Sequence, residues 1–425
     1  MTNALALWRQ RFAPERILWI AGLGVAISML GDLTLYVVLP THVEDAGITL
    51  ANVGLMLSAN RLIRLVINSP YGVLIERIPR RRMAIPSLFI GALSSLFYTV
   101  PGFWSLLIGR LLWGAAWAGI WLSASTIALD ISTDANRGRF VSRLQMWFFI
   151  GMGLSSLVGG ALTDWIGYRA TFQVCALVTL IMAVGWWLAL PETRTHRAEH
   201  VTSRTAPEQA TPDSPGTNTP PVNVLRLLIT AIVLLGLNWL IFIGILGAVL
   251  PLLLEERIGE TVTLAALVIP LATFTGALVA ANQVVSLLSS LGAGWLSDRN
   301  RQRWRLMLGA LVLAIGTMIL TAVGNGIMIV TATMFGAVAT SILQTQVMTL
   351  VGDYTRADRR GRMLGILNTV GDLGSAGGPL LAYALLPLIE LSGIFWLATV
   401  ILFLALPVTI WAVRQEQHIC REEII

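Results

Sequence analysis

Apolar stretches of about 20 residues recur along this chain from Ile17 to Trp411, with only short polar breaks between them. That is the length an α-helix needs to cross a hydrocarbon core of about 30 Å. Twelve candidate spans result: 17–40, 51–75, 83–102, 104–129, 140–163, 168–190, 225–254, 264–296, 305–323, 326–352, 362–387 and 391–413. Composition agrees, because 56% hydrophobic and 12% charged residues leave too little polar surface to coat a water-soluble globule of 425 residues. The expected fold is an all-α integral membrane protein held in a lipid bilayer.

A net charge of +6 raises the possibility of nucleic-acid binding. The positions of the charges exclude it. All basic residues are Arg, and with a cytoplasmic N-terminus only Arg169 and Arg257 fall in outer loops, while Arg61, Arg64 and Arg110 fall inside spans. The remainder lie on the inner side, which is the positive-inside pattern and predicts cytoplasmic N- and C-termini in a cell membrane, inner or plasma. The N-terminus shows no cleavable signal-peptide pattern. Cys175 and Cys420 make neither a disulfide framework nor a metal site, so no metal or cofactor is expected.

Residues 192–223 are rich in Pro, Thr and Ser and read as a cytoplasmic linker. They divide the chain into an N-terminal six-helix bundle, 1–191, and a C-terminal one, 224–413, followed by a cytoplasmic tail, 414–425. The halves repeat each other. GVLIERIPRRR from Gly72 pairs with GWLSDRNRQRW from Gly294 at an offset of 222, matching Glu76 with Asp298 and Arg77 with Arg299. Asp130 and Arg137 recur at an offset of 223 as Asp353 and Arg360, so the two bundles are expected to be pseudo-symmetric.

Gly72 and Gly294 permit close helix approach, and Glu76, Arg77, Arg81, Asp130, Arg137, Asp298, Arg299, Asp353 and Arg360 gather at one side of the membrane. Arg binds carboxylate bidentately, so these groups either form a latch that makes and breaks between the halves or simply anchor helix ends at the headgroups.

Ionisable residues inside a span are costly and usually face a cavity or a partner. Asp32 and Arg61 lie at similar depth on consecutive antiparallel helices, which predicts a pair of Asp32 with Arg61 or Arg64, with Tyr36 one turn from the aspartate. Arg110, Trp113, Trp117 and Trp121 share one face of span 4, and the three indoles either line a cavity or pack a helix. Asn282, Gln283, Gln344, Asn368 and Asp372 supply polar groups in the second half. Asp32 and Asp372 are the candidate proton carriers, with protons as the coupling ion.

The loop Gly72-x-Leu74-x-Glu76-Arg77-x-x-Arg80-Arg81-Arg82 resembles the G-x-L-x-D-R-x-G-R-R-R signature of the major facilitator superfamily, with Glu76 for Asp and Pro79 for Gly. Gly109-Arg110-Leu-Leu-Trp-Gly114 resembles that family's fourth-helix arginine motif, and the spacing of Asp130 and Arg137 its acidic-x6-Arg motif. The resemblance implies two six-helix bundles that rock about a central site. Its drug/proton antiporter-like branch carries G-x3-GP-x2-GG in span 5; here that run is Gly151-x3-Ser155-Ser156-x2-Gly159-Gly160, while span 11 holds Gly374-x3-Gly378-Pro379. The implied function is proton-coupled efflux of small amphipathic organic compounds by a monomer. The alternatives are transport of an anionic metabolite or amphiphile steered by the three buried arginines, and a non-transporting receptor on the same fold. An enzyme is not expected, because His42, His196, His200 and His418 lie in loops or tails away from any catalytic constellation.

Overall fold

The computed structural model describes residues 13–133, 136–193, 222–264, 267–300, 303–355 and 360–422. The segment 194–221 of the expected linker, and the side chains of Asp298, Arg299 and Arg360, lie outside the described residues. Twelve helical spans follow the twelve apolar runs. In the first half they are α1 (Pro14–Val38), α2 (Leu50–Arg77), α3 (Arg80–Phe97), α4 (Phe103–Asp130), α5 (Arg137–Ile166) and α6 (Tyr168–Ala189). In the second they are α7 (Val222–Ile258), α8 (Leu271–Asn300), α9 (Arg303–Val323), α10 (Gly326–Tyr354), α11 (Arg360–Leu385) and α12 (Leu391–Glu422). Among the described residues, ten are long and apolar enough to span a bilayer by length and composition. The other two are α3, which opens on three arginines, and α11, which carries Asn368 and Asp372.

Three local departures have physical causes. α1 is interrupted at Met29, between Pro14–Ser28 and Leu30–Val38, where the Ser28 hydroxyl donates back to the Val25 carbonyl at 2.8 Å. Such back-bonding bends helices. α7 carries a π-helical stretch, Trp239–Leu246, alongside its crossing with α11. The sequence reading began span 8 at residue 264, but Thr261–Leu264 and Leu267–Pro270 form an antiparallel hairpin, with Val262 opposite Ile269 and Thr263 opposite Val268. These β-branched side chains favour a pleated strand, and α8 starts only after Pro270. The fold is therefore helical throughout its spans, with one small hairpin at one end. At that same end α5 turns into α6 through the single residue Gly167, whose φ of +81° suits glycine.

The two ends of the molecule are easily told apart. The hairpin end carries the α7–α8 ribbon, and the opposite, arginine-rich end carries the α2–α3 turn with Arg77, Arg80, Arg81 and Arg82. Two buried clusters fill the interior: Trp113, Trp117, Trp186 and Phe140 belong to one within the first half, while Phe242, Trp304 and Phe395 belong to a larger one that runs on into the first half through Leu35, Met56 and Phe172.

Candidate functional site at the seam between the halves

The seam brings together four helices, with glycines of α2, α5 and α8 set against backbone of the opposite half. A methyl group on Gly54 of α2 would lie 2.6 Å from the Pro379 carbonyl of α11, and one on Gly276 of α8 would lie 2.2 Å from the Ser156 carbonyl of α5. These are the same rung twice: Gly54 and Gly276 are 222 apart, Ser156 and Pro379 are 223 apart. The next rung repeats as well. Ser58 donates to the Ala376 carbonyl at 2.6 Å, and at the offset positions Gly153 faces Ala280. Nearest the hairpin end, Gly160 approaches the Ala272 carbonyl, and Asp164 accepts from the Thr273 backbone N–H at 2.6 Å in the first turn of α8. A carboxylate there meets the positive end of the helix.

The four helices part toward the arginine-rich end. There a methyl group on Gly72 of α2, Gly138 of α5, Gly294 of α8 or Gly365 of α11 would meet nothing within 4 Å among the described residues. Val66, Val73, Val284 and Leu288 of α2 and α8 are each more than half exposed. The halves thus enclose a cleft that is shut at the hairpin end and open at the other. The close helix approach expected at Gly72 and Gly294 is absent in this conformation, because those positions sit where the halves have separated.

At the floor of the cleft lie the membrane-embedded charges. Asp32 sits in the first helical turn after the break in α1, where the helix terminus favours an anion. It pairs with Arg110 of α4, rather than with Arg61 or Arg64 as depth alone predicts. Arg110 is wholly buried, and it also donates through Nε to the Met56 carbonyl at 2.7 Å and through a terminal nitrogen, Nη2, to the Leu57 carbonyl at 3.3 Å. Asn60 completes the set by donating to Asp32 at 3.2 Å. Gly114 permits this closeness, since a methyl group there would meet the Asn60 carbonyl at 2.3 Å. Tyr36 donates to the Leu57 carbonyl at 2.6 Å, and its ring has the Arg61 and Arg110 guanidinium carbons 5.6 and 5.3 Å from its centroid. Those distances are within cation–π range.

Arg64 forms a second pair, with Asp372 of α11, and this one crosses the seam. The Arg64 Nε, the Asn282 Oδ1 and the Trp239 Nε1 are buried and have no hydrogen-bond partner among the described residues. Arg61 has no carboxylate partner among them either. Gln283 and Gln344 are half-buried and Asn368 is exposed.

The tryptophan stripe does not line the cleft as a row. Trp113 and Trp117 are buried in the first half, and the three rings form a continuous stack, with centroids 6.0 Å apart from Trp113 to Trp117 and 5.7 Å from Trp117 to Trp121. Only Trp121 is partly exposed, with Phe148 of α5 5.3 Å away. The reason is that the shared face of Arg110 and the indoles points into the bundle, toward Asp32 and Gly91, and not across the seam. The glycine runs are likewise packing surfaces: Gly151 and Gly159 receive Ala26 and Thr34 of α1, and Gly374 and Gly378 receive Gly236 and Gly244 of α7.

The arginine-rich end holds a duplicated polar knot. Asp130 at the end of α4 pairs with Arg80 at 3.0 Å, and Glu192 caps α3 by accepting from the backbone N–H groups of Arg80 and Arg81 at 2.9 and 3.1 Å. In the second half Asp353 pairs with Arg303, and Glu416 caps α9 by accepting from the N–H groups of Arg303 and Trp304. Arg81 also donates to the Trp187 carbonyl, and Glu76 is exposed. All these bonds lie within one half. Arg80, Arg303, Glu192 and Glu416 are absent from the residues singled out by sequence, although Arg80 and Arg303 stand 223 apart and Glu192 and Glu416 stand 224 apart. The repeat offset, applied to every charged residue, finds them.

Two repeated six-helix halves, meeting along four helices over buried ion pairs, make the multi-pass membrane fold of a known transporter family. The chain belongs to the Major Facilitator Superfamily, whose family model matches residues 21–281 and 272–419. Among curated proteins it is similar to the inner membrane transport protein YajR of Escherichia coli, 26% identical over 43% of this chain and 40% of YajR. It is also similar to the multidrug resistance protein MdtG of Enterobacter lignolyticus, 29% identical over 37% of this chain and 38% of MdtG. These matches span about two-fifths of the relatives' length. The fold matches that of a bacterial homologue of the human lysosomal transporter Spinster, solved inward-facing and occupied, with a TM-score of 0.74, 14% identity and coverage of 96% of this chain and 97% of that one.

Proposed function

We propose that the protein is a secondary active transporter that exports small amphipathic organic compounds in exchange for protons, by alternating access across a cell membrane, with both termini cytoplasmic. The observation that carries alternating access is the seam: repeated rungs close it at one end, and an open cleft leads from the other end to the buried charges. The positive-inside bias makes the open end cytoplasmic, so this is the state that loads an exported compound. Asp32 and Asp372 are the proton-carrying candidates, since each is a carboxylate within a membrane-spanning helix. The likeness to a protein named for multidrug resistance supports a place in the antiporter-like branch. A proteoliposome assay tests this reading: an imposed pH gradient drives accumulation of amphipathic dyes in vesicles holding the protein. Absence of flux for a broad panel of compounds, with binding retained, would make the protein a receptor instead.

One observation favours a second substrate class. Three arginines and two aspartates share the interior, and the two ion pairs leave Arg61 without a carboxylate. An anionic group on the substrate would supply it. Arg61→Ala is then expected to lower flux of anionic compounds at least tenfold while sparing neutral ones.

A further inference from the structure

The two sides of the seam match rung for rung until the third. Gly54 with Pro379 answers Gly276 with Ser156, and Ser58 with Ala376 answers Ala280 with Gly153. By the same offsets, Arg64 with Asp372 answers Ser286 with Phe149. An ionic tie therefore stands on one side where the other side carries a hydroxyl and an aromatic ring. Arg64 lies ten residues beyond Gly54, about 15 Å along the helix, which puts the tie at the inner edge of the closed zone and next to the cleft. Both partners keep a little exposure there, 16% for the Arg64 side chain and 11% for Asp372.

The neighbourhood also holds arginine groups without a carboxylate or hydrogen-bond partner among the described residues. Arg61 stands one turn from Arg64 and has only the Tyr36 ring, and the Arg64 Nε has no partner among the described residues. An arginine offers five N–H donors in a planar fork, and Asp372 engages Arg64 through a terminal nitrogen. A carboxylate or phosphate entering the cleft could take the Nε edge of that fork bidentately, with Arg61 as a second cation.

We propose that a substrate's anionic group exchanges with Asp372 for Arg64, and that this exchange unties α2 from α11 and allows the hairpin end to open. The proposal rests on the anionic reading of the substrate given above. Asp372, once released, turns toward the cleft and its water, and the Ser58 hydrogen bond and the glycine contacts are what remain on that side of the seam. Opening then costs less with the anion bound than without it. That differential affinity is what a ligand must have to shift a conformational equilibrium.

The test uses the full chain in lipid nanodiscs, with Cys420→Ser and spin labels on Leu50→Cys and Leu388→Cys. These exposed positions lie at the hairpin end of α2 and just beyond α11. Benzoate serves as the anionic probe and benzamide as its neutral shape match. Benzoate is expected to populate a longer distance between the labels and benzamide is not. Asp372→Asn should populate the longer distance without any probe, and benzoate should add nothing further. Arg61→Gln should raise the half-saturating benzoate concentration at least tenfold. The exchange is overturned if Asp372→Asn keeps the short distance, or if benzoate and benzamide act alike. Benzoate counterflow in proteoliposomes separates the two layers: counterflow with an unmoved label distance leaves anion transport standing and sinks the exchange. Counterflow of neutral amphiphiles only, with no benzoate bound, sinks both and leaves alternating access intact.

Discussion

Two aspartate–arginine pairs lie inside the membrane-spanning region, Asp32 with Arg110 and Asp372 with Arg64, and they stand in opposite relations to the seam. The first joins α1 to α4 within one half. Its arginine has no exposure, and backbone carbonyls and Asn60 fill the remaining bonding positions. The second joins α2 to α11 across the halves, keeps a little exposure, and leaves the Arg64 Nε without a partner. The same chemistry thus makes a strut whose guanidinium nitrogens are all bonded in one place and a tie with an unpaired arginine Nε in the other. A guanidinium bonded through all three nitrogens is held rigid, whereas one with a free Nε still offers a donor to a new partner.

The largest expected effect separates the two pairs. Asp32→Ala strands a buried guanidinium, a loss of about 3–5 kcal/mol for a broken buried pair, and should abolish the monodisperse peak in size-exclusion chromatography of the solubilised protein. Asp372→Asn should retain that peak while transport falls at least tenfold. Equal loss of folded protein in both variants would erase the distinction between strut and tie.

Depth was legible in the sequence and neighbourhood was not. Counting residues from the span ends places Asp32 level with Arg61, but three arginines lie within reach of that level and only helix packing selects among them. The selection falls to Arg110 because Gly114 lets α4 press against the Asn60 carbonyl of α2. Periodicity also puts Arg110 and the three indoles on one face correctly, yet it cannot say whether that face meets the other half or the bundle interior. The interior wins, so two of the three tryptophans serve packing. The span count and the duplication were readable because chain length and offset are linear properties. The α7–α8 hairpin was missed because a short β-branched run is as apolar as the start of a helix.

The seam sharpens the comparison at an intermediate scale. Gly276→Ala and Gly54→Ala each place a methyl group against a carbonyl oxygen of the opposite half, at 2.2 and 2.6 Å. Overpacking of this kind costs about 1–3 kcal/mol, and it is paid only while the hairpin end is closed. Both variants should therefore shift the distance between labels at Leu50→Cys and Leu388→Cys toward the longer population. Gly54→Ala should shift it less, because Arg64 and Asp372 still hold its side of the seam. Combining Gly54→Ala with Asp372→Asn should remove the difference, and a difference that persists in the double variant would mean that the ion pair is not what holds that side.

The smallest effect concerns the arginine-rich end, where both halves use the same device. Glu192 and Glu416 each accept two backbone N–H groups at the start of a helix, and each neighbouring arginine, Arg80 or Arg303, pairs with the aspartate at the end of the next helix. An anion at a helix N-terminus contributes about 0.3–1 kcal/mol at the surface and up to about 2 kcal/mol where partly buried, and Gln keeps one acceptor oxygen while losing the charge. Glu192→Gln and Glu416→Gln should therefore each lower thermal stability slightly, by similar amounts, and leave the label distances at the hairpin end unchanged. Thermal unfolding of the solubilised protein checks the first point and the spin labels check the second. A knot confined to one half holds its own helices whichever end of the cleft is open, whereas the tie between Arg64 and Asp372 survives only while the hairpin end is shut. If Glu192→Gln moved the hairpin-end labels as far as Asp372→Asn does, the knot would have to be counted among the parts that change between states.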